Sequence, residues 1–404
     1  MVIIREVYPS LFKEISLKGV SIILGARQVG KTFLLKKLYS EAISMRLKSS
    51  YFNLELPEDL RLFNASDEDI YNFLLSAGRV IFIDEFHYIK NASKIFKMLY
   101  DSGRNIKIYA SGSSSLEIHK HLKESLAGRR WVTKLRPLSY NEFLQKCRSN
   151  SAKKKAFDEY MVYGGLPGLI HISDASSKMR LLSEMLESYI QKDIKSLIRE
   201  ENIRAFNSLL YLLAENQGSL ISENSLSREV GLSTATINKH ISLLENTYVC
   251  YPIYSYAKKL GNELKKSKKI YFYDLGIRNA ILKDFKGYAF RDDKGVLAET
   301  FVFLQILSLI KQNMEIKFWR NKQGKEIDFI ILKDRLPFIV EVKSSINSKQ
   351  VPSVFYDFIK NYPETIGGMV VSEKFDGVEM INGKEIFFCR FENFLDKIKK
   401  KLKI

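Results

Sequence analysis

The sequence predicts an α/β protein whose first part is a parallel sheet covered by helices, with a helical stretch and two further segments behind it. Three observations carry that prediction. From the start to about residue 145, apolar runs alternate with helical stretches, as in parallel strands joined by crossover helices. Residues 25–32 read Gly-Ala-Arg-Gln-Val-Gly-Lys-Thr between a strand-like run and a helix-like one. The apolar run 79–83 ends in two acids, Asp84 and Glu85.

The first of these elements is a complete G-x-x-x-x-G-K-[ST] loop. Val20-Ser21-Ile22-Ile23-Leu24 before it reads as a buried strand, and Phe33-Leu34-Leu35-Lys36-Lys37-Leu38 after it as the first turns of a helix. Glycines let backbone N–H groups turn inward around phosphates, and the helix N-terminus adds its positive dipole end. The nucleotide-binding stretch is therefore Gly25, Ala26, Arg27, Gln28, Val29, Gly30, Lys31, Thr32 and Phe33. Lys31 would reach the β- and γ-phosphates, and the Thr32 hydroxyl would ligate Mg²⁺. The strand Arg79-Val80-Ile81-Phe82-Ile83 presents Asp84 to the metal and Glu85 to the attacking water. Together the two motifs predict hydrolysis of a nucleoside triphosphate, ATP first.

Two more strands are expected at 50–54 and 106–110. The second runs into Ser111-Gly112-Ser113-Ser114-Ser115, where Ser111 is either a γ-phosphate sensor or a turn former. Beyond it, Arg129 or Arg130 would complete a neighbouring subunit's site by stabilising transition-state charge, which implies a homo-oligomer; a surface arginine pair is the other reading. Arg136-Pro137-Leu138 opens the next segment.

Length and composition set the frame. A chain of 404 residues suggests about three domains. With 46% hydrophobic and 27% charged residues it has the make-up of a globular protein. No apolar run approaches the ~20 residues a membrane span needs. Met1-Val2-Ile3-Ile4-Arg5 lacks the layout of a signal peptide. Cys147, Cys250 and Cys389 stand far apart in no metal-ligand spacing, which suits a reducing cytoplasm without disulfides or zinc. The formal charge of +18 favours a polyanionic partner, nucleic acid (DNA) first and an anionic membrane second; a lysine-rich surface of a heat-adapted protein is the alternative. Lysines cluster at 153–155, at Lys265, Lys266, Lys268 and Lys269, and from Lys397 to Lys403. The last cluster shares an amphipathic pattern with Phe394, Leu395 and Ile398 and reads as a solvated helix face.

The polar stretch from Arg148 to Lys155 is a boundary. Residues 151–215 read as a helical lid broken by Tyr163-Gly164-Gly165-Leu166-Pro167-Gly168. Residues 216–285 read as a winged helix, in which 220–255 have helix-turn-helix spacing: Leu226 and Val230 on one face, a turn at Gly231, then a helix capped by Ser233. That helix buries Ile237, Ile241 and Leu244 and leaves Thr234, Thr236, Asn238, Lys239 and Ser242 outward, as a groove reader would. Residues 248–253 and 270–273 would form the wing of a winged helix; such modules also serve as spacers or protein docks.

Residues 286–404 hold a second set of acids. Glu299 lies on the helical run 297–310, Asp328 on the strand Glu326-Ile327-Asp328-Phe329-Ile330-Ile331, and Glu341-Val342-Lys343 at the end of the next strand. Alternation puts Glu341 and Lys343 on one face and Val342 on the other. Glu299, Asp328 and Glu341 would bind Mg²⁺, and Lys343 would position or activate water for phosphodiester cleavage. This arrangement resembles the PD-(D/E)XK nuclease fold, and its order of motifs is similar to that of archaeal Holliday-junction resolvases. It departs from them in having Ile327 where a proline is usual. The same fold without cleavage activity is the second reading.

The chain from Arg5 to about residue 395 resembles the archaeal and bacterial AAA-like ATPases of the signal-transduction (STAND) class. The likeness rests on the P-loop, Phe82-Ile83-Asp84-Glu85, Ser111-Gly112-Ser113-Ser114, Gly128-Arg129-Arg130, Tyr163-Gly164-Gly165-Leu166-Pro167, Tyr273-Asp274-Leu275-Gly276, Trp319-Arg320 and Glu326-Ile327-Asp328. Gly165-Leu166-Pro167 is similar to the glycine-x-proline element with which some signalling ATPases touch the nucleotide. The resemblance implies a P-loop ATPase core over 1–150, the lid, a winged helix and a nuclease-like domain, with ATP bound and hydrolysed. It leaves two roles open: an ATPase acting on DNA, or a nucleotide-operated switch or remodelling ATPase acting on protein partners. Neither role involves a membrane.

Overall fold

β1 (Gly19–Leu24) is buried at every position, as a strand must be when helices cover both faces of a parallel sheet. A computed structural model describes residues 2–112, 126, 128–147, 149–189, 203–257, 268–346 and 348–404. Ser113, Ser114, Ser115, Arg148, Lys265 and Lys266 lie outside the described residues. The chain divides into two compact units. One is Met1–Leu138 with Leu166–Gly168 and Leu243–Val249; the other is Ser139–Gly165, Leu169–Ser242 and Cys250–Ile404.

In the first unit α1 (Tyr8–Lys13) precedes β1, and α2 (Lys31–Ser44) follows it. Then come β2 (Ser49–Asn53), α3 (Pro57–Leu62), α4 (Asp67–Ala77), β3 (Val80–Asp84), α5 (Ala92–Asp101), β4 (Lys107–Gly112) and β5 (Arg130–Lys134). All five strands run parallel in the order β2-β3-β4-β1-β5. The four strands expected from apolar runs are all present. The strand carrying Ser111 lies between the P-loop strand and the acid-ended strand, so their carboxyl ends share one edge: Leu24 is in register with Gly112, and Ile83 with Ala110. That edge is where open α/β sheets bind ligands. β5 has no apolar run to announce it. Among the described residues it pairs only with β1, and it leaves Trp131 and Val132 exposed, as an edge strand can.

The second unit holds α6 (Tyr140–Leu144), α7 (Asn150–Tyr163), α8 (Ala175–Tyr189), α9 (Ile203–Glu215), β6 (Leu220–Ile221), α10 (Glu223–Val230) and α11 (Thr234–Asn246), counted here to Ser242. Next are β7 (Cys250–Ser255), β8 (Lys268–Phe272), α12 (Leu275–Leu282), α13 (Lys294–Leu309), β9 (Met314–Arg320), β10 (Glu326–Lys333) and β11 (Leu336–Lys343). α14 (Ser353–Asn361), β12 (Gly367–Ser372), β13 (Gly377–Ile381), β14 (Lys384–Arg390) and α15 (Phe394–Leu402) complete it.

Its strands form one nine-stranded sheet, β13-β14-β12-β11-β10-β9-β7-β8-β6. β7 and β8, near the strands expected at 248–253 and 270–273, pair antiparallel from Cys250↔Phe272 to Tyr254↔Lys268. The pair continues into the C-terminal strands through Tyr254↔Lys317 and Ser255↔Phe318 of β9. The division expected at 285/286 therefore passes through a shared sheet.

α13 is apolar on nearly every side and buried almost throughout, which fits its place against β11. Around it Tyr140, Phe157, Tyr160 and Phe301 meet edge to face at 5.2 to 5.9 Å. Each such pair contributes about 0.5–1.5 kcal/mol beyond its buried area. Trp319, Ile327, Ile339, Phe355, Phe358 and Val370 fill the layer that includes α14.

Between α10 and α11, Gly231 takes φ +71°, the left-handed turn that a side chain would strain. Ile237, Ile241 and Leu244 are buried, while Asn238, Lys239 and Ser242 are exposed. Of the lysine cluster expected at 265–269, the two described members, Lys268 and Lys269, do not form a free basic patch. Lys268 pairs with Glu223 at 3.0 Å and donates to Asn238, and Lys269 is buried. These two cations are engaged within the unit, because strand alternation sends them to opposite faces of β8, one toward the helices and one toward carboxylates.

Candidate functional site

The P-loop is shaped by close approach. A Cβ on Gly25 would stand 2.1 Å from the Leu135 carbonyl oxygen, so this position admits only glycine. Gly30 takes φ +94° and starts α2 directly at Lys31. Lys31, almost wholly buried, donates from Nζ to the carbonyls of Gly25 and Ala26, 3.0 Å each. The loop has a brace that the motif does not contain. Arg5 donates from Nη1 to Val29 O at 2.8 Å and from Nη2 to Arg136 O at 2.6 Å. Pro167, from the expected glycine-x-proline element, belongs to the same unit, with its Cγ 3.8 Å from where a Gly30 Cβ would sit.

Asp84 ends β3 and is 1% exposed. Ser111 donates its hydroxyl to Asp84 Oδ1, and Tyr51 donates to Oδ2 at 3.0 Å. Burial, then the charge of Asp84, pushes the Tyr51 phenol far above its ordinary value, so it stays a donor. Two hydroxyl donors leave lone pairs free on both oxygens of Asp84. This buried carboxylate therefore fits a hard divalent cation, which Asp84 and the Thr32 hydroxyl would hold. Glu85 follows at φ +56°, a left-handed conformation that costs a non-glycine residue about 1–2 kcal/mol. The kink turns Glu85 away from the strand; its N–H donates to Ser111 Oγ at 3.4 Å, and its Oε2 lies 3.1 Å from His87 Nδ1. Ser111 thus joins both acids. Arg129 pairs with Asp101 at 3.1 Å within its own unit, and Arg130 opens β5, partly buried.

In the second unit the sheet brings Glu299, Asp328, Glu341 and Lys343 into one neighbourhood. β10 and β11 run antiparallel up to Phe329↔Val340, and Asp328 Oδ2 accepts from the Val342 N–H at 2.7 Å. Pairing with β9 shifts register between Ile327 and Ile330, a bulge of the kind that re-aims side chains. Lys343 Nζ lies 2.7 Å from Glu341 Oε1, as alternation requires of two residues on one face. Glu341 Oε2 is buried without a hydrogen-bond partner. Burial, then the charges of Glu299 and Glu341, pushes the Asp328 carboxyl well above the usual carboxylate range.

Two residues of this neighbourhood were not foreseen. Lys269, 2% exposed on β8, lies 2.5 Å from Glu326 Oε1 and 3.3 Å from Glu299 Oε1. Burial works against its charge, but Glu299, Asp328 and Glu326 outweigh it and raise the ammonium to about 12. Tyr271, two residues along the same strand, donates to Glu299 Oε1. Among the described residues no three His, Cys, Asp or Glu side chains are placed to hold a metal ion.

Comparison with known proteins separates the two regions. Residues 18–144 match the family model described as an AAA domain, the class of P-loop domains that run on ATP. The chain carries an AAA domain. Behind the AAA domain, residues 154–287 and 294–390 match two domains of unknown function (DUF8612 and DUF4143). Two relatives follow most of the chain. An uncharacterized protein of Haemophilus influenzae is 28% identical over 90% of this chain and 92% of its own length. Another, of Methanocaldococcus jannaschii, is 26% identical over 79% and 74%. Among solved structures, the replication initiator DnaA bound to AMPPCP and single-stranded DNA is 14% identical, with a TM-score of 0.29, over 60% of this chain and 90% of that one. A STAND protein with a tetratricopeptide repeat sensor from Pyrococcus horikoshii is also 14% identical, TM-score 0.29, over 75% and 45%. Among the described residues no helix is long and apolar enough to cross a membrane.

Proposed function

We propose that the AAA domain hydrolyses ATP at the edge formed by Lys31, Thr32, Asp84 and Glu85, and that the cycle drives action on nucleic acid. The observation that supports it best is Ser111, which joins Asp84 and Glu85 from the strand between them and the P-loop. Lys31 and the loop N–H groups hold the phosphates, Glu85 orients and deprotonates water, and Ser111 reports the γ-phosphate to both acids. Mg²⁺, when bound, would neutralise charge on the phosphates. Residues 1–150 act as the core, 151–215 as the lid, 216–285 as a winged helix and 286–404 as a nuclease-like domain, in a cytoplasmic homo-oligomer completed in trans by Arg129 or Arg130.

Nucleic acid is supported by the +18 charge and by the exposed Asn238, Lys239 and Ser242. The engagement of Lys268 and Lys269 favours a second reading, a switch acting on protein partners. One assay separates them: ATP turnover of wild type, Lys31→Ala and Glu85→Gln, with and without linear, forked and four-way DNA. We expect both variants to lose turnover and DNA to raise the wild-type rate, with binding that weakens steeply in salt. An unchanged rate together with no binding at low salt would leave the protein-partner reading. Turnover that survives in both variants would sink the site assignment itself.

A further inference from the structure

We propose that Lys269 is the resident cation of the carboxylate cluster in the second unit, and that this cluster takes up no divalent metal. The inference concerns the reading of that cluster as a cleavage site and does not depend on ATP hydrolysis.

The geometry runs carboxylate by carboxylate. Glu299 Oε1 takes both the Tyr271 hydroxyl and the Lys269 ammonium, and a Cβ on Gly218 would stand 3.3 Å from that same oxygen. Glu326 Oε1 lies 2.5 Å from Lys269. Asp328 Oδ2 holds the Val342 N–H, and Glu341 Oε1 holds Lys343. Glu341 Oε2 is left as the one buried side-chain oxygen of the cluster without a hydrogen-bond partner, among the described residues. Mg²⁺ asks for about six oxygens at roughly 2.0–2.1 Å in near-ideal geometry. An ammonium asks for up to three acceptors, and a buried one must have carboxylates beside it. The cluster matches the second demand. Lys269 also cannot swing out: it lies inside the sheet, between Leu220 of β6 and Ile253 of β7 in register, and is 2% exposed.

The test is Mn²⁺ binding, followed by electron paramagnetic resonance on the full chain. Asp84→Asn is present throughout so that the nucleotide site does not contribute. With Lys269 in place we expect no saturable binding up to roughly 1 mM, the weak end of oxygen-ligand sites. Adding Lys269→Met should create one saturable site at least about tenfold tighter, lost again on adding Asp328→Asn. Mn²⁺ should raise the melting temperature of the Lys269→Met chain and leave that of its parent unchanged. The proposal is overturned if the parent binds Mn²⁺ saturably and loses it with Asp328→Asn or Glu341→Gln. It is equally overturned if a folded Lys269→Met chain still binds none. Should Lys269→Met not fold, Lys269→Arg keeps the charge and should bind no Mn²⁺, and the parent titration decides.

Discussion

Ser111 donates its hydroxyl proton to Asp84, and the same oxygen accepts the N–H of Glu85. One side chain on β4 therefore fixes the geometry of both acids of the AAA domain. Ser111→Ala should lower ATP turnover by about a hundredfold, as loss of a preorganised donor does. Stability should fall by about 1–3 kcal/mol. Tyr51→Phe, which leaves Ser111 in place, should cost turnover less. Steady-state hydrolysis and melting curves of the two variants check the ranking.

Gly25 and Gly103 offer a matched contrast. Gly25→Ala drives a methyl group into the Leu135 carbonyl, whereas Gly103, at φ +77°, has open space around it. Gly25→Ala should abolish nucleotide binding and cost about 1–3 kcal/mol or more. Gly103→Ala should bind nucleotide normally and lose only the roughly 1–2 kcal/mol of a left-handed alanine. Fluorescent-nucleotide titration beside denaturant unfolding gives both quantities.

Arg5 spans a sequence distance of 131 residues to hold Arg136 O, and also holds Val29 O of the loop. Arg5→Met keeps length and removes both bonds. Leaving the carbonyls unsatisfied costs about 1–3 kcal/mol each. The expected kinetic signature is a raised KM for ATP with kcat lowered less, because the brace shapes the cradle and touches no reacting atom.

Asp274 caps α12 by accepting from the Ile277 N–H at 3.1 Å, and also accepts from the Gly165 N–H at 2.8 Å. Burial raises its carboxyl from the ordinary 3.8 to about 6, against the pull of those N–H groups. A folded-state value above the unfolded one means stability is fully present below pH 3.8 and is lost as pH rises through about 6. Two units correspond to about 3 kcal/mol. The stability of wild type minus that of Asp274→Asn should fall by that order between pH 4 and 8, read from denaturant midpoints. A flat difference would mean the carboxyl is ionised in the fold throughout.

What the sequence made legible was local. The P-loop, the acid-ended strand and the Glu341/Lys343 face are each defined by residues within a few positions, so spacing alone places them. Arg5 was illegible because its partners come from Val29 and Arg136, and nothing near Arg5 signals them. β5 was missed because an exposed edge strand needs no apolar run. Lys269 was read with its neighbours as part of a basic surface. Yet Lys269 and Tyr271 alternate with Ile270 and Phe272 along one strand, and a lysine inside such a strand already calls for a carboxylate opposite. The union of β7 with β9 had no local sign either, since it rests on two residue pairs some 63 positions apart in sequence.

That junction has a consequence for how the chain is made. Synthesis delivers residues in order, so β6, β7 and β8 exist before β9 does. Until residues 314–320 emerge, β7 keeps one flank of N–H and C=O groups open, with the buried Cys250, Pro252 and Ile253 beside it. Such an edge invites pairing with another nascent chain. Fragments ending near residue 287 should therefore aggregate when expressed alone, and extension through β9 should relieve it.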